Sequence, residues 1–340
     1  MYLFCYGTRP EMIKMFPLIE KFNEVGIPYK TLFSGQHKDL YEQFKSYLPK
    51  PTYILNTMEN NQSLNKLSGK IFNQLDKIDL TDIKYIIVQG DTTTAYILAM
   101  AGFNEKIKVI HLEAGLRTYD KYSPFPEEIN RTLISRIADI HLCPTEIAVN
   151  NLKNEGITDN VYLVGNTVVD AFKIINNINN QNIIYNHDYL VTLHRRENRD
   201  NIFLLWDQLN EISKTKKIVY LVHPSLEKKA HEYLSNSIIK INGVDYTTMI
   251  KLITSSKGII TDSGGIQEEA VCAGKRVLVC RNTTERPETI NSGWGKLIGV
   301  DILNNLDFLT KEKENASNFK NPYGDNVCNK IINILTSKNI

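Results

Sequence analysis

The stretch Lys108-Val-Ile-His-Leu-Glu-Ala-Gly-Leu-Arg117, followed by Pro124-Phe-Pro-Glu-Glu-Ile-Asn-Arg131, decides how this chain is read. Lys108–Leu112 has the length and apolar character of a buried strand. Glu113 then stands just past the strand's C-terminal end, where open α/β sheets bind ligands. Pro126 suits the first turn of a helix, with Glu127 and Glu128 at its positive end. One carboxylate at a strand end and another at a helix start can converge on a sugar ring. A plainer account makes Glu127, Glu128 and Arg131 a solvated helix face with an i,i+3 or i,i+4 pair. Taken alone, the segment leaves both accounts open.

The same strand-then-helix pattern extends in both directions. Apolar runs of strand length fall at Leu3–Tyr6, Tyr29–Phe33, Tyr85–Val88, Ile140–Cys143 and Val161–Val164. Stretches of helical period lie between them, at Ile13–Asn23, Leu64–Leu75 and Thr93–Phe103. A second series runs through Tyr189–Leu193, Lys217–Val222, Ile238–Asn242, Gly258–Thr261 and Arg276–Cys280. Alternation of this kind implies α/β architecture with parallel sheets covered on both faces. The chain has 340 residues, roughly twice the ~150 of one domain. The expected division is residues 1–166 with a returning C-terminal helix at 322–340, and residues 167–321. Two such domains facing a cleft suit a nucleotide ligand.

Composition narrows the function. A net charge of +2 argues against nucleic acid or an anionic membrane as partner. No apolar run approaches the ~20 residues of a membrane span. The N-terminal Met1-Tyr-Leu-Phe-Cys-Tyr has no basic region and reads as a strand, not a signal peptide. Five scattered cysteines without zinc or redox spacing suggest reduced thiols in a cytoplasmic protein. The histidines show no metal-ligand spacing, so no metal is expected.

Phosphate chemistry is suggested at several strand ends. Thr261-Asp-Ser-Gly-Gly-Ile-Gln-Glu-Glu-Ala270 follows a strand and opens a helix. Its Gly264 and Gly265 let backbone approach a diphosphate, and Glu268 or Glu269 could bond a ribose diol. The alternative is an ordinary helix start capped by Ser263. There is no Walker lysine, and no G-x-G-x-x-G after the first strand, so neither a P-loop ATPase nor a dinucleotide cofactor is expected. Gly7-Thr-Arg-Pro-Glu11 places Arg9 at a second strand end, where it could grip phosphate or simply be a surface arginine. Asp91, in Gln89-Gly-Asp-Thr-Thr-Thr94, is either an acid/base group or a helix cap. His194, flanked by Arg195 and Arg196, could meet a phosphate or carry a proton. His223 and Arg286 sit in comparable loops.

These motifs together resemble the non-hydrolysing bacterial UDP-N-acetylglucosamine 2-epimerases. The matching segments are GTRPE (7–11), GQH (35–37), GDTTT (90–94), HLEAGLRT (111–118), PFPEEINR (124–131), PTE (144–146) and VGNTVVD (164–170). HRREN (194–198), TDSGGIQEEA (261–270), TTERPE (283–288) and NPYGD (321–325) complete the series. The resemblance implies two Rossmann-like domains around a central cleft, as in B-type glycosyltransferases. It implies Asp91, Glu113, Glu127 and His194 as the catalytic group. It further implies UDP binding by Arg9, His223, Ser263, Gly264, Gly265, Glu269 and Arg286, together with His194. A second substrate site would involve Gln36, His37, Gln62 and Lys70, although Gln36 and His37 could instead cap a helix. Lys70, in Ser68-Gly-Lys70, departs from the family's usual arginine, which puts that site's strength in question. A cytoplasmic homodimer acting on a UDP-sugar in cell-surface polysaccharide synthesis, with no cofactor, is the implied setting.

Inverting C2 of an N-acetylhexosamine breaks a C–H bond that no carbonyl acidifies. Expelling UDP from C1 first solves this, through a 2-acetamidoglucal. The scheme needs cations on the diphosphate and acid/base groups at both faces of C2. The competing readings are a hydrolysing epimerase releasing N-acetylmannosamine, an epimerase of a modified UDP-hexosamine, and a silent nucleotide-sugar-binding subunit. A sugar transferase suits the fold but not the carboxylates of the first domain.

Overall fold

A computed structural model of the chain describes residues 1–35, 44, 47–59, 62–178, 186–310 and 320–337. It divides into two compact units, Met1–Ala171 with Tyr323–Ile340, and Phe172–Pro322.

Among its described residues the first unit holds seven strands: β1 (Tyr2–Tyr6), β2 (Tyr29–Phe33), β3 (Tyr53–Ile54), β4 (Tyr85–Gln89), β5 (Lys108–Leu112), β6 (Ile140–Cys143) and β7 (Val161–Leu163). Their order is β3-β2-β1-β4-β5-β6-β7, and every pairing is parallel. All of β1 and β6 is buried, as is every residue of β5 after Lys108. That is why these strands read as unbroken apolar runs rather than alternating ones. The chain runs from β1 to β2 on one side and later returns to β4 on the other. The switch point therefore lies between β1 and β4, whose C-terminal loops open the ligand-binding edge of such a sheet.

The second unit repeats the design with six strands among its described residues: β8 (Tyr189–Thr192), β9 (Ile218–Leu221), β10 (Ile239–Ile241), β11 (Gly258–Thr261), β12 (Arg276–Val279) and β13 (Gly295–Leu297). The order β10-β9-β8-β11-β12-β13 places its switch point between β8 and β11. Its core is built around fully buried Trp206, whose ring packs edge-on against Tyr220 and whose Nε1–H reaches the Tyr220 hydroxyl at 3.3 Å.

The expected α/β alternation is thus what both sheets show. Two strands had no counterpart in the sequence reading, β3 and β13. Both are edge strands of two or three residues. Among the described residues, no helix is long and apolar enough to cross a membrane.

Candidate active site

At the first switch point, Glu11 joins the loops after β1 and β4. Its Oε2 accepts from the backbone N–H of Gly7 (2.8 Å) and Thr8 (2.7 Å) and from the Thr8 hydroxyl (2.9 Å). Its Oε1 accepts from the Thr92 hydroxyl at 2.5 Å. Burial pushes the Glu11 carboxyl above its ordinary range, against the pull of these four donors. Arg9 opens the Arg9–Val25 helix beside this staple.

Asp91 follows β4. The helix-cap role open to it belongs to Thr92, whose Oγ1 accepts from the Ala95 N–H at 3.0 Å. The Asp91 carboxylate instead pairs with Arg131, and its carbonyl accepts from Asn130 Nδ2 at 2.9 Å. Arg131 also reaches Glu128 at 3.2 Å. Glu128 in turn accepts from the N–H groups of Thr118 and Tyr119 at 2.9 to 3.0 Å. The solvated-face reading of this helix therefore fails for Glu128 and Arg131, both 3% exposed. Pro126 stands just before the helix, which begins at Glu127. Glu127, half-buried, lies one turn ahead of Asn130 and Arg131 and so shares the helix face that holds Asp91.

Glu113 follows β5, next to β4 in the sheet. Its Oε2 takes an ion pair from Lys14, a bond from Gln89 Nε2 (3.0 Å) and another from Asn166 Nδ2 (3.1 Å). Glu113 has φ +67°, a left-handed backbone that residues other than glycine rarely adopt. Two residues on, Gly115 (φ +87°) lies against the backbone of Ala148, where a Cβ would come within 2.3 Å of the carbonyl oxygen. Arg117, conspicuous in the sequence, is structural. It makes a two-pronged bond to Glu155 at 2.6 and 2.8 Å and a third to the Ser135 hydroxyl.

The second switch point carries His194 after β8 and Asp262-Ser-Gly-Gly265 after β11. Asp262 is fully buried. Its carboxylate accepts from the N–H groups of His194 and Arg195 and from Asn198 Nδ2, at 2.9 to 3.1 Å. Ser263 occupies the cap position of the Gly264–Cys272 helix without a side-chain capping bond, so its hydroxyl is not committed to that role. A Cβ at Gly264 would lie 2.6 Å from Glu285 Oε1, so that carboxylate would have to shift to admit one. Gly265 is exposed, with open space where its Cβ would stand. The ring of His223 stacks on that of His194 at 5.7 Å and 12°.

Charge is concentrated behind this edge. Glu285 bonds Arg281 (2.5 Å) and lies 3.4 Å from Arg195. Burial alone would raise the Glu285 carboxyl, but Arg286, Arg281 and Arg195 overcome this and hold it at about 2. Arg286 pairs through Nε with Glu268 at 2.6 Å, both side chains being buried. Glu269 is buried one residue further along the same helix.

Asp91, Glu113, Glu127 and Arg9 thus belong to the first unit. His194, His223, Ser263, Gly264, Gly265, Glu269 and Arg286 belong to the second. Gln62 and Lys70 lie in the first unit with other partners. Gln62 donates to Met58 Sδ at 3.1 Å, and Lys70 pairs with Glu59. Gln36 and His37 lie outside the described residues.

The sequence reading gives no role to the partners Lys14, Gln89, Asn166, Glu11, Asp262 and Glu285. Lys14 carried a signal. It stands in Met12-Ile-Lys-Met-Phe16, with two apolar residues on either side of it in the chain, where a buried lysine is more to be expected than in a polar run.

A family model described as UDP-N-acetylglucosamine 2-epimerase matches residues 21–336. A UDP-N-acetylglucosamine 2-epimerase of Campylobacter jejuni is 40% identical, over 98% of this chain and 96% of its own length. The crystal structure of the Neisseria meningitidis UDP-GlcNAc 2-epimerase bound to UDP-GlcNAc superposes with a TM-score of 0.89 at 35% identity, covering 99% of both chains. The Methanocaldococcus jannaschii UDP-GlcNAc 2-epimerase in complex with UDP-GlcNAc and UDP gives 0.87 at 34% identity, over 99% of this chain and 100% of that one. With both Rossmann-like sheets and their strand-end motifs in place, the chain belongs to the UDP-N-acetylglucosamine 2-epimerase family, a family of isomerases.

Proposed function

We propose that the protein interconverts UDP-N-acetylglucosamine and UDP-N-acetylmannosamine by eliminating and re-adding UDP. The observation that carries this reading is the first switch point. Beside it stand two carboxylates, Asp91 after β4 and Glu113 after the neighbouring β5, each ion-paired with a buried cation. Cleavage of the C1–O bond sends its electron pair to the diphosphate. Loss of the C2 proton to a carboxylate then leaves 2-acetamidoglucal beside UDP. Re-addition of UDP at C1, with protonation of C2 from the other face, gives the epimer. Glu113, Asp91 and Glu127 are the proposed acid/base groups. His194, His223, Arg9, Ser263, Gly264, Gly265, Glu269 and Arg286 are proposed to hold UDP, and a cationic cluster is what a departing diphosphate requires.

In this reading the two units are the enzyme's domains, acids in one and diphosphate in the other, in a cytoplasmic homodimer. Gln62 and Lys70 are proposed for a second UDP-GlcNAc site, where the ligand's phosphate would have to displace Glu59 from Lys70.

Proton NMR of UDP-GlcNAc with the protein in heavy water tests the mechanism. Both epimers should gain deuterium at C2 without added NAD. Retention of the original C2 hydrogen in the product rules out elimination. Accumulation of free N-acetylmannosamine in place of the UDP-linked epimer establishes the hydrolysing reaction instead.

A further inference from the structure

The carboxylate of Asp262 does more than fasten a loop. Its Oδ1 accepts from the backbone N–H of His194 (3.1 Å) and lies 3.3 Å from Nδ1 of the same residue's ring. Oδ2 is occupied by the N–H groups of His194 and Arg195 and by Asn198 Nδ2. In all of these bonds the Asp262 oxygens are the acceptors. A ring nitrogen that turned its lone pair toward such an oxygen at 3.3 Å would be repelled, whereas an N–H is attracted.

The stacked partner is arranged the opposite way. His223 Nδ1 accepts from the backbone N–H of Ser225 at 3.2 Å and lies 2.8 Å from the Ser225 hydroxyl. An amide hydrogen pointing at that nitrogen leaves no room for a second, so neutral His223 carries its proton on Nε2. The two rings lie 12° from parallel.

We propose that Asp262 is a positioning residue that holds the His194 imidazole with its proton on Nδ1, so that Nε2 is the atom left to meet the ligand. With His223 fixed in the reverse tautomer, the pair offers a diphosphate oxygen one standing donor and one nitrogen that donates only after taking up a proton. The proposal deepens the UDP-site reading of His194 and rests on it for the ligand's identity, but not for the tautomer.

The charged groups facing His194 are Asp262 at the end of β11, Arg195 on its own loop and His223 after β9. Burial lowers the affinity of the His194 ring for its second proton. Asp262 raises it, while Arg195 and His223 lower it again.

The decisive measurement needs no variant. Nitrogen-15 NMR of histidine-labelled wild-type protein above the titration range, with the His194 signals assigned from His194→Gln, should show Nδ1–H at His194 and Nε2–H at His223. Nε2–H at His194 overturns the proposal. A second reading follows the pH dependence of UDP affinity. Protonated His194 is the stronger donor, so affinity falls as pH rises through its pKa. Asp262→Asn removes a group that raises that pKa. The fall should then begin at lower pH, by on the order of one unit, with about tenfold weaker binding inside the shifted window. A folded Asp262→Asn protein with an unmoved profile also overturns the proposal; should the variant not fold, the wild-type tautomer decides. Nδ1–H at His194 in a protein that does not turn over UDP-GlcNAc would sink the epimerase reading and leave the role of Asp262 standing. Nε2–H in an active epimerase would do the reverse.

Discussion

At the switch point of the first sheet, the groups presented are Asp91 and Glu113, and the groups buried against them are Lys14 and Arg131. At the switch point of the second, the groups presented are His194 and Arg195, and the groups buried beside them are Asp262 and Glu285. Both units use the same strand order around the switch and the same device of a buried acid stapling two loops, Glu11 in one and Asp262 in the other. The sign of the charge is what differs. Topology places the loops, and the groups buried behind them differ in sign, cations behind carboxylates in one and carboxylates behind a histidine and an arginine in the other. A charge taken out of water needs such a partner, since removing one member of a buried pair costs about 3–5 kcal/mol.

The largest test of this contrast is a double dissociation. Asp91→Asn, Glu113→Gln and Glu127→Gln should each lower kcat by roughly 10²–10⁴, the usual share of a proton-transferring group, and leave UDP affinity near its original value. Arg286→Met should weaken UDP binding by roughly 10–100-fold, the loss of about 1.5–3 kcal/mol from a charged hydrogen bond. Calorimetric UDP titration beside steady-state kinetics checks both. Loss of UDP affinity in the acid variants would erase the division of labour.

A smaller effect is expected one layer back. Asn166→Ala removes one of the bonds to Glu113 without touching its charge. Turnover should drop about tenfold, with UDP affinity unchanged, and Asn166→Gln should rescue little because its longer side chain misplaces the amide. Unchanged turnover would mean that Lys14 and Gln89 suffice to orient the carboxylate.

The smallest effects concern acid stability. His111 and His141 face each other on β5 and β6, and burial holds them at about 3 and about 4. Their folded pKa values lie below the ordinary 6.5, so the unfolded chain binds the extra protons. Their contribution is complete above pH 6.5 and lost as pH falls from there toward 4 and then 3. Glu285, depressed from 4.5 to about 2, acts in a lower window: its contribution is lost only as pH falls from 4.5 toward 2. His141→Gln should therefore flatten the decline of Tm between about pH 6.5 and 4, and Glu285→Gln the decline below 4.5, in melts recorded across that range. A single shared window would show that the two units do not differ in this respect.

The contrast also explains what was legible in the sequence. Strands buried on both faces announce themselves as apolar runs, so eleven of the thirteen strands β1–β13 have such a run in the sequence reading. Tyr53–Ile54 and Gly295–Leu297 do not, because two or three residues at a sheet edge leave no pattern. Groups that stand at strand ends could be named from their position. Their partners could not. Lys14 and Glu113 are 99 residues apart, and Asp262 and His194 are 68 apart. Pairings at such separations are made by the sheet and not by local spacing. The role of Arg131 stays open in the sequence for a related reason: an i,i+3 pair with Glu128 looks the same on paper whether the helix face meets water or Asp91.

Glu113 keeps its left-handed backbone against local preference, and such a residue costs on the order of 1–3 kcal/mol. A chain selected only to remain folded would place glycine there. Glu113→Gly combined with Lys14→Met removes the strained residue and the buried ion pair in one step. The outcome should be a protein that melts higher and turns over nothing, a local trade-off between durability and work. Gene copies released from selection for turnover would then be expected to drift toward glycine at this position, becoming sturdier as they fall silent.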